Sequence, residues 1–405
     1  MNVLGLSLAY LRAKPLVSAL NLLLMALGIA TITVLLLFSR QFEDRLTRDA
    51  RNVDLVVGAK GSPIQLILSA VYQVDTPTGT IPYSFARELA TQPMVKQAIP
   101  LASGDRYQSF RIIGTEPAYA ELFGAELAAG KLWRDPFQAV LGARVANRTG
   151  LIIGDSFTST HGLEHGGEAH VELPYRVVGI LAPTGSVIDR LILTPLDSVW
   201  HAHDPSQNPL LARRAQTGRA PSAADLQVTA LLVQYATPMA AVLMPRQINA
   251  GSALQAAAPA QEITRLLALV GVGLDTLRGF GLLLILTAAL GVFIALYNAM
   301  QERRYDLAIM RALGARPLTL FLEVLCEGLV LSLAGALLGI ALGHGVVALL
   351  GVLLPEAEAM GLSGSLLLAE EVWLLLLALA VGLVSALLPA WQAYRTDIAT
   401  ALARH

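Results

Sequence analysis

Residues Gln301–Arg316 read QERRYDLAIMRALGAR. This is the densest mixed-charge stretch near the apolar C-terminal half, and it separates two long apolar runs, 279–300 and 317–354. A bilayer core needs about 20 helical apolar residues to cross it. A short charged helix between two such runs must lie outside the hydrocarbon. There it either anchors the spans at the lipid surface or touches something in the aqueous phase.

Working outward, further charge-free apolar runs cover Pro15–Ser39, Gly328–Leu354 (entered through Leu318–Leu325) and Val372–Tyr394. With Gly279–Met300 they make four predicted spans. The 405 residues are 55% hydrophobic and 15% charged, against about 25% charged in a soluble chain. The first run is 25 residues long and no small-x-small site precedes Arg40, so it reads as an uncleaved anchor rather than a signal peptide. Net charge is −1, which gives no bulk attraction to nucleic acid. The single cysteine, Cys326, excludes an intramolecular disulfide and reads as apolar packing.

Lysine and arginine mark the cytoplasmic flanks of spans. Arg12 and Lys14 precede the first run. Arg303, Arg304, Arg311 and Arg316 follow the second, and Arg395 and Arg404 follow the fourth. The 355–371 loop has four acids, Glu356, Glu358, Glu370 and Glu371, and no base. Both termini and 301–316 are therefore expected in the cytoplasm, with the acidic loop and 40–270 outside.

The expected fold is an α-helical membrane protein with four transmembrane helices. An α+β extracytoplasmic (periplasmic) domain is inserted between the first and second spans. Residues 1–39 hold a loosely amphipathic N-terminal segment and the first span. The outer domain covers 40–270, a stalk and the second span 271–300, the charged helix 301–316, and the last two spans with a cytoplasmic tail 317–405. In the outer domain, DLVVG (54–58), FRIIG (110–114), 139–141, YRVVGIL (175–181) and 228–234 read as strands, and 84–92, 118–124 and 143–150 as short helices. The domain carries 20 basic and 20 acidic residues, so charge names no partner. Residues 203–226 read as a long polar loop. From Gln261 the helical pattern runs without proline to Arg316 and predicts one unbroken helix, with Asp275 and Arg278 meeting on one face.

Gly335, Gly339 and Gly343 recur every four residues, the spacing that lets membrane helices approach closely, within or between protomers. His344 stands beside them and is expected at the outer interface. His161-Gly-Leu-Glu164-His165, followed by Glu168 and His170, has a zinc-like ligand spacing. The glycines Gly162, Gly166 and Gly167 favour instead a polar loop between strands. None of the four lysines sits in a GxxxxGK[ST] loop, and no HExxH or GxSxG is present. The chain is expected to be non-catalytic.

The 301–316 stretch resembles the cytoplasmic coupling segment of the MacB/FtsX/LolC group of ABC transporter permeases, whose pattern is E-R-x-x-E-I-A-I-L-R-A-L-G-A. Glu302, Arg303, Ala308, Ile309, Arg311, Ala312, Leu313, Gly314 and Ala315 match it. Asp306, Leu307 and Met310 are conservative departures. Val140–Arg144 with Gly150–Asp155, Tyr175–Ile180 and Leu388–Arg395 are similar to further elements of that group, although Ile398 stands near a proline the pattern carries. Val53–Pro82 resembles a subgroup associated with metal-related operons.

The resemblance implies a homodimeric permease in the bacterial inner membrane. It would bind no cofactor itself and pair with an ATPase subunit that holds ATP and Mg. Glu302, Arg303, Arg304, Asp306, Ile309, Arg311, Gly314 and Arg316 would form the ATPase-coupling surface. Movement there would pass to the periplasmic domain (mechanotransmission) for export or release of a client. An adaptor, a lipoprotein or a binding protein are the periplasmic partners the resemblance allows. Alternatives are a regulator that activates a periplasmic enzyme and a zinc-related system using His161, Glu164, His165 and His170.

Overall fold

The computed structural model describes residues 5, 12, 15–162, 173–202, 226–354 and 361–395, without the side chains of 304–306. Most of the predicted N-terminal amphipathic segment lies outside the described residues. So do the polar 203–225 stretch, most of the acidic loop and the tail beyond Arg395. The chain divides into two compact units, residues 43–268 and residues 1–42 with 269–405.

Helix α1 spans Pro15–Asp49. After it come β1 (Leu55–Ala59), α2 (Pro63–Ala70), β2 (Ile81–Pro82), α3 (Tyr83–Ala90), β3 (Val95–Tyr107), β4 (Phe110–Thr115), α4 (Ala118–Leu122), β5 (Leu127–Gly130) and β6 (Gln138–Leu141). Then follow α5 (Ala143–Thr149), β7 (Ser156–Phe157), β8 (Thr160–His161), β9 (Tyr175–Leu181), a 3-10 turn (Val187–Arg190), β10 (Leu191–Pro195), α6 (Leu196–Ala202), β11 (Gln227–Val228), β12 (Ala230–Tyr235), α7 (Ala240–Gly251) and β13 (Leu254–Ala257).

The main sheet runs β13-β1-β12-β3-β4-β10-β6-β9-β5, and β2 pairs with β11 apart from it. It is antiparallel except where β10 pairs with β4 and β6 with β9. Alternation builds it: in β9 residues Tyr175, Val177, Gly179 and Leu181 are buried while Arg176 is exposed. The long β3 kinks at a bulge between Ser103 and Asp105, which lets one strand serve two cores. One core centres on Leu55, Ile81, Leu231 and Met244, the other on Ile112, Leu141, Tyr175 and Ile192. Gly142 joins β6 to α5 where a Cβ would lie 2.3 Å from the carbonyl oxygen of Ile188, so no larger residue fits that backbone approach.

The other unit is helical. It holds the start of α1, most of α8 (Pro259–Glu302), and α9 (Arg304–Ala312), α10 (Pro317–Leu353) and α11 (Glu371–Tyr394). Helices α1, α8, α10 and α11 are each long and apolar enough to cross a membrane. Many of their leucines are exposed, Leu286 at 57% and Leu349 at 57% among them, as lipid-facing positions require.

Gly335, Gly339 and Gly343 lie on the face of α10 that meets α1. A Cβ on Gly339 would sit 2.7 Å from the Ala26 carbonyl oxygen, and one on Gly343 2.7 Å from Thr33 Cβ. Gly339→Leu is therefore expected to cost about 2–3 kcal/mol through overpacking. Leu337→Ala, at a side chain 53% exposed, should change unfolding in detergent by less than about 0.5 kcal/mol.

The predicted unbroken helix 260–316 is corrected. Helix α8 ends at Glu302, and Arg303 has φ −92 and ψ 6. No proline or glycine causes the break. The turn at Arg303 brings Leu307, 1% exposed, into a core with Leu320 and Val324, and Ala308 beside it is fully buried. Burying that face outweighs the local preference to continue one helix.

Candidate coupling site

Helix α9 is short and two-faced. Leu307 and Ala308 are buried and Met310 packs on the same core. Opposite them, Ile309 is 36% and Leu313 83% exposed. Glu302 and Arg316 are exposed and Arg311 half-buried. The side chains of Arg304 and Asp306 lie outside the described residues.

The helix stops in a Schellman arrangement. Ala315 N–H donates to Met310 O at 2.9 Å and Gly314 N–H to Arg311 O at 3.0 Å. Gly314 adopts φ +99, which a side chain would strain. Pro317 then opens α10 at its first turn, where its missing N–H costs nothing. Gly314 and Pro317 together set a sharp corner that presents Leu313 at its edge.

Arg303, at the break itself, reaches α10. Its Nη1 donates to Glu327 Oε2 at 3.3 Å, and the side chains are 12% and 7% exposed. Glu323, one turn earlier on α10, is 1% exposed. Beside this pair lies a shallow cleft lined by Ser18 and Asn21 of α1, Leu296 and Ala299 of α8, and Leu331 of α10. The 301–316 segment is thus tied to the bundle by an apolar seat and, among the described contacts, by the buried Arg303–Glu327 ion pair.

The expectation of an interfacial His344 needs refinement. The ring is mostly buried, with Nδ1 donating to Gly364 O at 2.7 Å and Nε2 3.0 Å from Glu371 Oε1. Arg40 pairs with Glu370 at 3.0 Å, and Gln41 exchanges hydrogen bonds with Ser363. These contacts fasten the 361–371 segment to α1 and α10.

Of the zinc-like group, His161 alone is described. It sits on β8 with Nδ1 3.6 Å from the buried Asp105. Glu164, His165 and His170 lie outside the described residues. Among the described residues no three metal-binding side chains converge.

Sequence reasoning named Arg303, and placed Glu323 and Glu327 near the membrane surface, but did not pair Arg303 with Glu327. Glu323 and Glu327, two acids spaced i,i+4 inside an apolar run, were the available signal, since such residues seldom face lipid. Leu313 was visible only as part of a motif; its exposure came from the corner at Gly314.

Four apolar helices, a short charged helix seated between two of them and an α+β unit define a permease-like membrane chain. The MacB-like periplasmic core domain family matches residues 18–235, more than half of the chain, and the FtsX-like permease C-terminal family matches 278–398. The chain belongs to this family of ABC transporter permeases, with a MacB-like periplasmic core domain and an FtsX-like C-terminal region. It is similar to the pyoverdine export ATP-binding/permease protein PvdT of Pseudomonas fluorescens (strain Pf0-1), 24% identical over 407 residues, which cover 95% of this chain and 56% of PvdT. It therefore spans little more than half the length of that relative. The macrolide export ATP-binding/permease protein MacB of Agrobacterium fabrum is 30% identical over 120 residues, 30% of this chain and 18% of that one. The crystal structure of the periplasmic region of MacB from Actinobacillus actinomycetemcomitans superposes with a TM-score of 0.34 and 11% identity, covering 54% of this chain and 95% of that one.

Proposed function

We propose that this chain is the membrane subunit of an ABC system in the bacterial inner membrane, working as a homodimer with an ATPase that holds ATP and Mg. Helix α9 is the ATPase-docking element. The observation that carries this reading is its division of faces: Leu307 and Ala308 seat it on the bundle while Ile309 and Leu313 stand exposed. Exposed leucine beside charged residues is what a partner's groove covers. ATP-driven movement of the partner shifts α9, and the Arg303–Glu327 pair and the apolar seat pass that shift to α8 and α10. Helix α8 runs unbroken through 44 residues and continues it to the 43–268 unit, which acts on a periplasmic client by export or release. The pyoverdine and macrolide export named for the relatives make a small exported molecule the first client to test.

Tagged chain purified from its host membrane should bring an ABC ATPase with it, and Arg311→Glu should cut the recovered ATPase at least about tenfold. Full recovery with that variant, or no ATPase with the unaltered chain, contradicts the reading.

A further inference from the structure

The main sheet ends in β13 on one side and β5 on the other, and the two edges are finished differently. Strand β13 is capped. The Asn249 side chain of α7 accepts the Ala256 N–H on Oδ1 at 2.7 Å and donates from Nδ2 to the Ala256 carbonyl at 3.0 Å. One side-chain amide takes the place of a neighbouring strand there. Strand β5 has no such cap among the described residues. It pairs with β9 alone, and all four of its residues are exposed. An open edge offers a row of backbone donors and acceptors to another strand, and sheets ordinarily block it with proline, with charge in the strand or with a covering element. Leu127-Ala-Ala-Gly130 contains neither proline nor charge.

Apolar side chains stand beside this edge. Leu127, Ile152 and Ile153 are exposed, Ile152 at 65%. Ile153 reaches the strand itself, since its Cδ1 would lie 2.8 Å from a Cβ placed on Gly130. The turn that carries the two isoleucines is held by hydrogen bonds. Ile152 N–H donates to Asp155 Oδ2 at 3.0 Å, and Gly154 N–H to Val177 O at 2.9 Å. Exposed apolar groups on a fixed turn, next to an open edge, make a surface suited to a partner strand.

The flanking charges say which partner. Glu126 and Lys131 bracket β5, are exposed and form no ion pair among the described residues. They are five positions apart, which in a regular strand would put them on opposite faces. A bulge between Leu127 and Ala129 takes up one residue. Glu126 O accepts the Ala182 N–H and Lys131 N–H donates to Val178 O, and Val178 and Ala182 are four positions apart along β9 and its end. Both charges therefore stand on one face, the acid at one end of β5 and the base at the other. Such a strand complements itself turned end for end. An antiparallel copy sets each Glu126 beside Lys131 of the partner subunit, and opposite charges across a strand pair stabilise it.

We propose that β5 is an interface with a second copy of this chain, the two strands pairing antiparallel about a twofold axis and joining the sheets of two 43–268 units. The pairing covers Leu127, Ile152 and Ile153. It rests on the homodimer proposed above and makes no use of the ATPase-docking helix.

The test is disulfide crosslinking of the full chain in membranes on a Cys326→Ser background. Ala128→Cys and Ala129→Cys probe the strand, and Met239→Cys, exposed ahead of α7 at the capped side of the sheet, is the control. A disulfide needs Cα atoms within about 7 Å, so oxidation should give crosslinked dimer from 128 or 129 at least about fivefold above that from 239. In the crosslinking variant, Glu126→Lys and Lys131→Glu should each cut the yield by about half or more, and the two together should restore most of it, because the charges then exchange places. Co-purification of two differently tagged copies reports the homodimer independently. Copies that co-purify without product at 128 or 129 overturn the β5 interface and leave the homodimer standing. Copies that do not co-purify and give no product overturn both. A product at 128 or 129 that holds another protein instead of a second copy, or a double charge exchange no better than the single changes, also overturns the proposal.

Discussion

Leu313→Asp is expected to weaken the chain's complex with its ATPase at least about 30-fold while leaving its own unfolding temperature unchanged. The two halves of this expectation come from one observation. Leu313 is 83% exposed, so an aspartate there disturbs nothing inside the bundle. Surface changes of that kind stay within about 0.5 kcal/mol of stability. At a docked interface the same leucine would be an apolar anchor, and losing an anchor costs about 2 kcal/mol or more, roughly 30-fold in affinity. Ile309, one turn earlier and 36% exposed, should show the same sign with a smaller effect. Titrating purified ATPase against the reconstituted chain gives the affinity. Equal affinity for Leu313→Asp and the unaltered chain would remove α9 from the interface.

Glu327→Ala is expected to act on both stability and coupling. The Arg303–Glu327 pair has side chains 12% and 7% exposed, so little water is available to replace the lost carboxylate. Removing one partner of a buried pair costs about 3 kcal/mol, far more than removing an exposed one. Arg303→Ala should cost a similar amount, and the double variant less than the sum, because both single changes delete the same contact. The coupling consequence follows from place. Arg303 occupies the break between α8 and α9, and Glu327 holds that break to α10. Without it, the complex should still bind ATP, but hydrolysis should respond less to client. A double-mutant cycle that sums to full additivity would show that the two residues do not act as a pair.

Sequence patterns carried the long apolar helices well, because 20 or more apolar residues have few other destinations. They did not carry the end of α9: the helix expected to run to Arg316 stops at Ala312, at the glycine Gly314 and ahead of Pro317. Strand β9 was readable for its strict alternation. Strand β3 was not. It contains Pro100, Gly104, Lys96, Asp105 and Arg106, a composition that argues against a central strand. Its pairing with β12 on one side and β4 on the other supplies what the local sequence lacks. Helix α7 was hidden similarly by Pro245 within it.

The break at Arg303 carries no local signal at all. It is fixed by contacts with residues well along the chain: Leu320 and Val324 for the apolar seat, and Glu327 for the ion pair. The 301–316 segment was therefore legible as a charged helix between spans, while its attachment to the bundle needed the fold.

The central claim is that α9 meets a nucleotide-hydrolysing partner. The most direct measurement places a photo-crosslinking amino acid at position 313 in living cells, with position 286 as a lipid-facing control, and identifies the crosslinked product by mass spectrometry. The account predicts an ABC ATPase crosslinked from 313 and not from 286. Lipid alone at 313, or the same products from both positions, would contradict it.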